Sequence, residues 1–72
     1  MSTPVKRSVV VSGHRTSVSL ETPFWEVLTQ IATDQNMSLN KLITEIDRQR
    51  DGNLSSALRI YVLKKLQEDK TS

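Results

Sequence analysis

Arg15, Ser17 and Ser19 stand at alternate positions in the run His14-Arg15-Thr16-Ser17-Val18-Ser19-Leu20. A guanidinium offers a fork of donors, and each hydroxyl can donate or accept. Together they suit hydrogen bonding to the polar edges of a partner. A β-strand sends successive side chains to opposite faces, so these three share one face while Thr16, Val18 and Leu20 share the other. The strand therefore has one greasy side and one basic, hydroxyl-bearing side. No second strand of matching quality follows it, and a lone strand leaves its backbone groups unpaired. The expected partner is the same strand of a second copy, antiparallel across a two-fold axis. A ribbon of that kind has the width and chemistry to enter the major groove of DNA.

Other chemistry is thinly represented. The chain shows no Ser/His/Asp arrangement, glycine-rich phosphate loop or metal-ligand spacing, so neither an enzyme nor a cofactor is expected. Glu45 and Asp47 lie two residues apart and do not share a helix face; they read as solvated or paired with Lys41, Arg48 or Arg50. His14 is the single histidine and cysteine is absent, which leaves no metal or disulfide staple. A chain of 72 residues is one domain at most and buries only about 60% of its unfolded surface. Oligomerisation is the remaining route to stability. No apolar run approaches the roughly 18 residues of a membrane span, and Val9-Val10-Val11 is too short for a signal-peptide core. A cytoplasmic protein without membrane contact is the expectation. The formal net charge is +2, and its distribution is uneven: residues 1–20 hold Lys6, Arg7 and Arg15 with no carboxylate, and all eight acids begin at Glu21. That segregation favours an acidic partner.

The elements that must position these residues follow from punctuation and periodicity. Residues 1–12 read as a flexible basic arm, since Ser2, Thr3 and Pro4 favour neither regular structure. Val9-Val10-Val11 is β-prone, and Gly13 marks a bulge or bend before His14. Thr22 is expected to cap a first helix with Pro23 at its first position and Glu26 in its first turn. Phe24, Val27, Leu28 and Ile31 form its apolar stripe, broadened by Trp25. The helix should end near Asp34 to Asn36. Ser38 caps a second helix with Leu39, Leu42, Ile43 and Ile46 on one side. The turn Asp51-Gly52-Asn53 ends it. A third helix, capped by Asn53 or Ser55, carries Leu54, Ala57, Leu58, Tyr61, Val62 and Leu66, and residues 68–72 form a frayed tail.

A strand followed by two helices in an obligate dimer resembles the ribbon-helix-helix family of DNA-binding proteins. The likeness rests on Arg15-Thr16-Ser17-Val18-Ser19-Leu20, on Thr22-Pro23-Phe24-Trp25, and on Asn36-Met37-Ser38-Leu39-Asn40-Lys41, spanning about residues 14–50. Gly13-His14-Arg15-Thr16-Ser17 and Asn53-Leu54-Ser55-Ser56-Ala57-Leu58-Arg59 are similar to a bacterial subgroup with an added C-terminal helix. The resemblance implies that Arg15, Ser17 and Ser19 contact bases. It also implies that the second-helix N-terminus, at Ser38, Leu39, Asn40 and Lys41, grips a phosphate through free amides and the helix dipole. Many members have a glycine where this chain has Asn36-Met37; Asn36 in the left-handed region can serve the same turn.

The resulting expectation is a mainly α, ribbon-helix-helix domain over residues 13–67: one short strand paired across a homodimer, then three helices. Its dimer core would hold Val18, Leu20, Phe24, Trp25, Leu28, Leu42, Ile43 and Ile46. Function is expected to be sequence-specific binding of double-stranded DNA and transcriptional repression, with Lys6 and Arg7 on flanking phosphates and dimers lining up on repeated half-sites. Two alternatives stand beside it. One is the antitoxin of a toxin–antitoxin pair, although only about six residues trail the third helix where such proteins carry a long segment. The other is a protein-interaction adaptor that keeps the fold without reading DNA.

Overall fold

The computed structural model describes residues 3–50 and 52–70, the last two without their side chains. Expectations placed on Met1, Ser2, Asp51, Thr71 and Ser72 lie outside the described residues. Two eight-residue strands, β1 (Pro4–Val11) and β2 (His14–Glu21), pair antiparallel as a hairpin. Helices α1 (Thr22–Asp34), α2 (Leu39–Gln49) and α3 (Leu54–Lys70) follow. This overturns the expected mainly α chain with a single strand that pairs across a homodimer. Most of the stretch expected to be a mobile arm is β1, and the partner of β2 lies within its own chain.

The hairpin closes because Ser12 and Gly13 both take positive φ, 53° and 81°. A two-residue loop of that handedness matches the twist of the flanking strands. Gly13 thus marks the expected bend before His14, as a turn residue rather than a bulge. Val11 faces His14 across the turn, and the register runs without interruption to Pro4 opposite Glu21. Directly opposed residues project from the same side of a sheet. Val9 and Val11 on β1 thus join Val18 and Leu20 on β2 against the helices, and all four are buried.

Helix α1 begins one residue earlier than its sequence indicates. Glu21 is the N-cap, without a side-chain cap bond, Thr22 is the first helical residue, and Glu26 falls beyond the first turn. Its end follows the sequence. Asn36 adopts φ 57°, Met37 N–H donates to Ala32 O at 2.9 Å, and Asn36 N–H donates to Thr33 O at 3.0 Å. These paired bonds form a Schellman stop in which asparagine takes the place usually held by glycine. Ser38 caps α2 by accepting from Lys41 N–H at 3.1 Å, and Asn53 caps α3 by accepting from Ser56 N–H at 3.0 Å. Each cap contributes about 1 kcal/mol.

Among the described residues twelve buried side chains form one core drawn from every element. Seven of the eight residues expected at a dimer interface are buried within the single chain; Phe24 is half-buried against the same cluster. Trp25, the largest, buries its ring and donates Nε1–H to Val5 O at 3.0 Å. The indole thereby pins the far end of the hairpin to α1. Among the described residues no buried side-chain nitrogen or oxygen lacks a partner. The chain closes its core through β1, so an unpaired strand no longer calls for a second copy; the argument from small size is untouched.

Candidate nucleic-acid interface

The face of the hairpin turned from the helices pairs Lys6 with Ser19, Ser8 with Ser17 and Val10 with Arg15. Arg15, Ser17 and Ser19 share this face, as the alternation requires; Arg15 and Ser17 are exposed and Ser19 is half-buried. Lys6 lies on it as well. Ser8 and Val10 complete it and escaped the sequence reading, which had no strand over residues 4–11. The signal that could have found them is Ser12-Gly13, two turn-compatible residues between β-prone runs.

Arg7 is placed elsewhere. It sits on the opposite side of β1 from Lys6, across from Val18. Its guanidinium lies 5.3 Å from the centroid of the Trp25 ring, within cation–π range. The hairpin thus divides the two basic residues once grouped in one arm: Lys6 joins the outward face, and Arg7 covers the core tryptophan.

The candidate phosphate anchors cluster beside the ribbon. The register makes Val11 and His14 the hydrogen-bonded pair that closes the turn, so Val10 N–H points away from β2. Asn40 Oδ1 approaches this group at 3.4 Å, and Thr44 Oγ1 approaches Ser12 N–H at 3.5 Å. Helix α2 therefore runs along the outer edge of β1 near the turn. Ser38 Oγ satisfies Lys41 N–H; the N–H groups of Leu39 and Asn40 have no protein partner among the described residues. Lys41 is exposed at the same helix end, while Leu39 packs partly against the core.

Glu21 is the one carboxylate on the outward side of the hairpin, at its end away from the turn. Arg59 of α3 meets it with two bonds, Nε to Oε1 at 3.1 Å and an NH2 group to Oε2 at 3.3 Å. Its own backbone N–H, and then Arg59, hold the Glu21 carboxyl below the usual carboxylate range. The same guanidinium lies 5.9 Å from the Phe24 ring centroid. The acid is thereby neutralised in place, and the rest of the face presents Lys6, Arg15 and hydroxyls. Asp47 and Arg50 form a second pair at 2.6 Å near the α2–α3 junction. Among the described residues no group of acids and histidines could hold a metal, and no helix is long and apolar enough to cross a membrane.

A two-stranded ribbon with a basic outer face, backed by two helices and a third, defines a ribbon-helix-helix type of domain. The ribbon-helix-helix domain family matches residues 4–66, and the chain belongs to it. This is a family of regulatory DNA-binding domains rather than a class of enzymes. Among solved structures, an uncharacterized protein from Bordetella pertussis Tohama I is similar, with 33% identity and a TM-score of 0.75. The similarity covers 93% of this chain and 60% of that one, so this chain spans only part of the length of its structural relative. Comparison with curated proteins gives no significant match.

Proposed function

We propose that this chain binds double-stranded DNA by laying the outward face of its β1–β2 hairpin in the major groove, and that it represses or otherwise regulates transcription there. The observation that carries the reading is the grouping of Lys6, Arg15, Ser8, Ser17 and Ser19 on one solvent-facing side, with its single acid tied to Arg59. Two strands about 4.8 Å apart fit a groove about 12 Å wide. Arg15 can give two hydrogen bonds to guanine O6 and N7, and the serine hydroxyls can serve several bases. Lys41 and the open amides of Leu39 and Asn40 would hold a phosphate at the ribbon's side. One chain then supplies a whole reading unit, and a cytoplasmic bacterial regulator is the setting.

Salt dependence tests this directly. With Lys6 and Lys41 as phosphate contacts, about two counterions are released per chain. The logarithm of affinity should then fall with a slope near −1.8 against the logarithm of salt. Between about 50 and 200 mM this is roughly a tenfold loss for one chain and about a hundredfold loss for two bound together. Titration of a labelled duplex by fluorescence anisotropy reads the slope and the stoichiometry. A flat response would sink the DNA reading. It would favour the adaptor alternative, which draws support from Ile60, Leu63 and Leu66 exposed on the outer side of α3.

A further inference from the structure

We infer that Val10 reads the C5 methyl of a thymine adjacent to the guanine taken by Arg15. The inference rests on the proposed placement of the hairpin in the groove. The three valines that end β1 have different surroundings. Val9 and Val11 are 4% and 6% exposed and belong to the core, whereas Val10 between them is 43% exposed. Its isopropyl group emerges on the outward face, where its neighbours are Ser8 on its own strand and Arg15 and Ser17 on β2. No apolar side chain on that face covers it. Between the turn and the Lys6–Ser19 pair it is the one apolar member of an otherwise polar surface.

The register fixes what Val10 can reach. Val10 and Arg15 oppose each other at a position that is not hydrogen-bonded, where paired Cα atoms stand about 4.5 Å apart. Successive bases along a DNA strand are separated by about 3.4 Å along the helix axis. A guanine held by Arg15 pairs with cytosine, which bears no methyl group. The nearest group that would cover an isopropyl side chain is then the thymine methyl one base-pair step away, the apolar mark of the major groove. Lys6 and the serines have no comparable use for it.

The test couples one atom group on each side. Sites are first selected from random duplexes with the wild-type protein and with Arg15→Ala, which locates the guanine. The adjacent thymine is then exchanged for uracil, which removes only the methyl group. Wild-type protein should bind the uracil duplex about fourfold more weakly, the equivalent of one buried methyl. Val10→Ser, which exchanges the apolar group for a hydroxyl, should bind the two duplexes alike. Equal wild-type affinity for both duplexes would overturn the inference, as would persistent thymine preference in Val10→Ser. The uracil exchange needs no variant, so a folding defect cannot mask the answer. If Arg15→Ala loses guanine selection while the methyl has no effect, only the Val10 assignment fails. If the wild-type protein selects no sequence, the hairpin reading fails with it.

Discussion

Replacing Val9 and Val10 by alanine, one at a time, separates a folded β1 from a mobile arm. Both substitutions lose the same two carbon groups and the same strand preference, a shared cost of up to about 1 kcal/mol. Only Val9 is buried, at 4% against 43% exposure for Val10. At about 0.8 kcal/mol per buried carbon group, Val9→Ala should be less stable than Val10→Ala by about 1.6 kcal/mol, before any cavity contribution. For a chain this small a urea m-value near 1 kcal/mol/M puts the two midpoints about 1.5 M apart. The whole domain holds roughly 4–11 kcal/mol by size, so the difference is a large share of its stability. Trp25 is the only tryptophan, and because it donates to Val5 O its fluorescence follows the hairpin during unfolding. Coincident midpoints would refute the claim that β1 closes the core. Two unperturbed midpoints would restore the mobile arm.

Two further outcomes follow from the same geometry. Arg15→Ala should cost about 1–3 kcal/mol on the selected site and relax base choice at one position, whereas Lys41→Ala should weaken all duplexes alike; competition binding with specific and random DNA distinguishes them. The lowered pKa of Glu21 implies acid sensitivity at the α3 junction. Its contribution to stability should be fully present above the ordinary glutamate pKa of about 4.3 and lost as pH falls through the lowered folded value. Glu21→Gln should therefore flatten that part of the acid limb in thermal unfolding followed from pH 7 downward, and an unchanged limb would remove the Glu21–Arg59 pair as its source.

Much of the helical architecture was legible because its signals are local. Ser38 and Asn53 could be read as caps from their types and positions, and Asn36 as the left-handed stop. The spacing of Leu42, Ile43 and Ile46 gave the buried side of α2. The division of β2 into Arg15, Ser17 and Ser19 against Val18 and Leu20 followed from alternation alone. β1 was hidden for two physical reasons. Val9-Val10-Val11 reads as a continuous apolar run, although its middle member faces away from the core. Arg7 occupies a helix-facing position that alternation would assign to an apolar residue, and it succeeds there by stacking on Trp25. The Glu21–Arg59 pair spans 38 residues, and nothing in local spacing announces such a contact. Thr22 was displaced from the cap position because Glu21 takes the extended cap conformation, although its carboxylate accepts no cap bond.

The two-residue closure at Ser12-Gly13 also removes a constraint on how the outward surface can vary. When a ribbon is assembled from identical strands, every altered codon appears twice, and the two halves change in lockstep. Here Lys6, Ser8 and Val10 are encoded separately from Arg15, Ser17 and Ser19. Each position can drift or be engineered alone, leaving the opposite strand untouched, so the surface is free to become lopsided and, under the proposed reading of DNA, to match an address with no internal mirror.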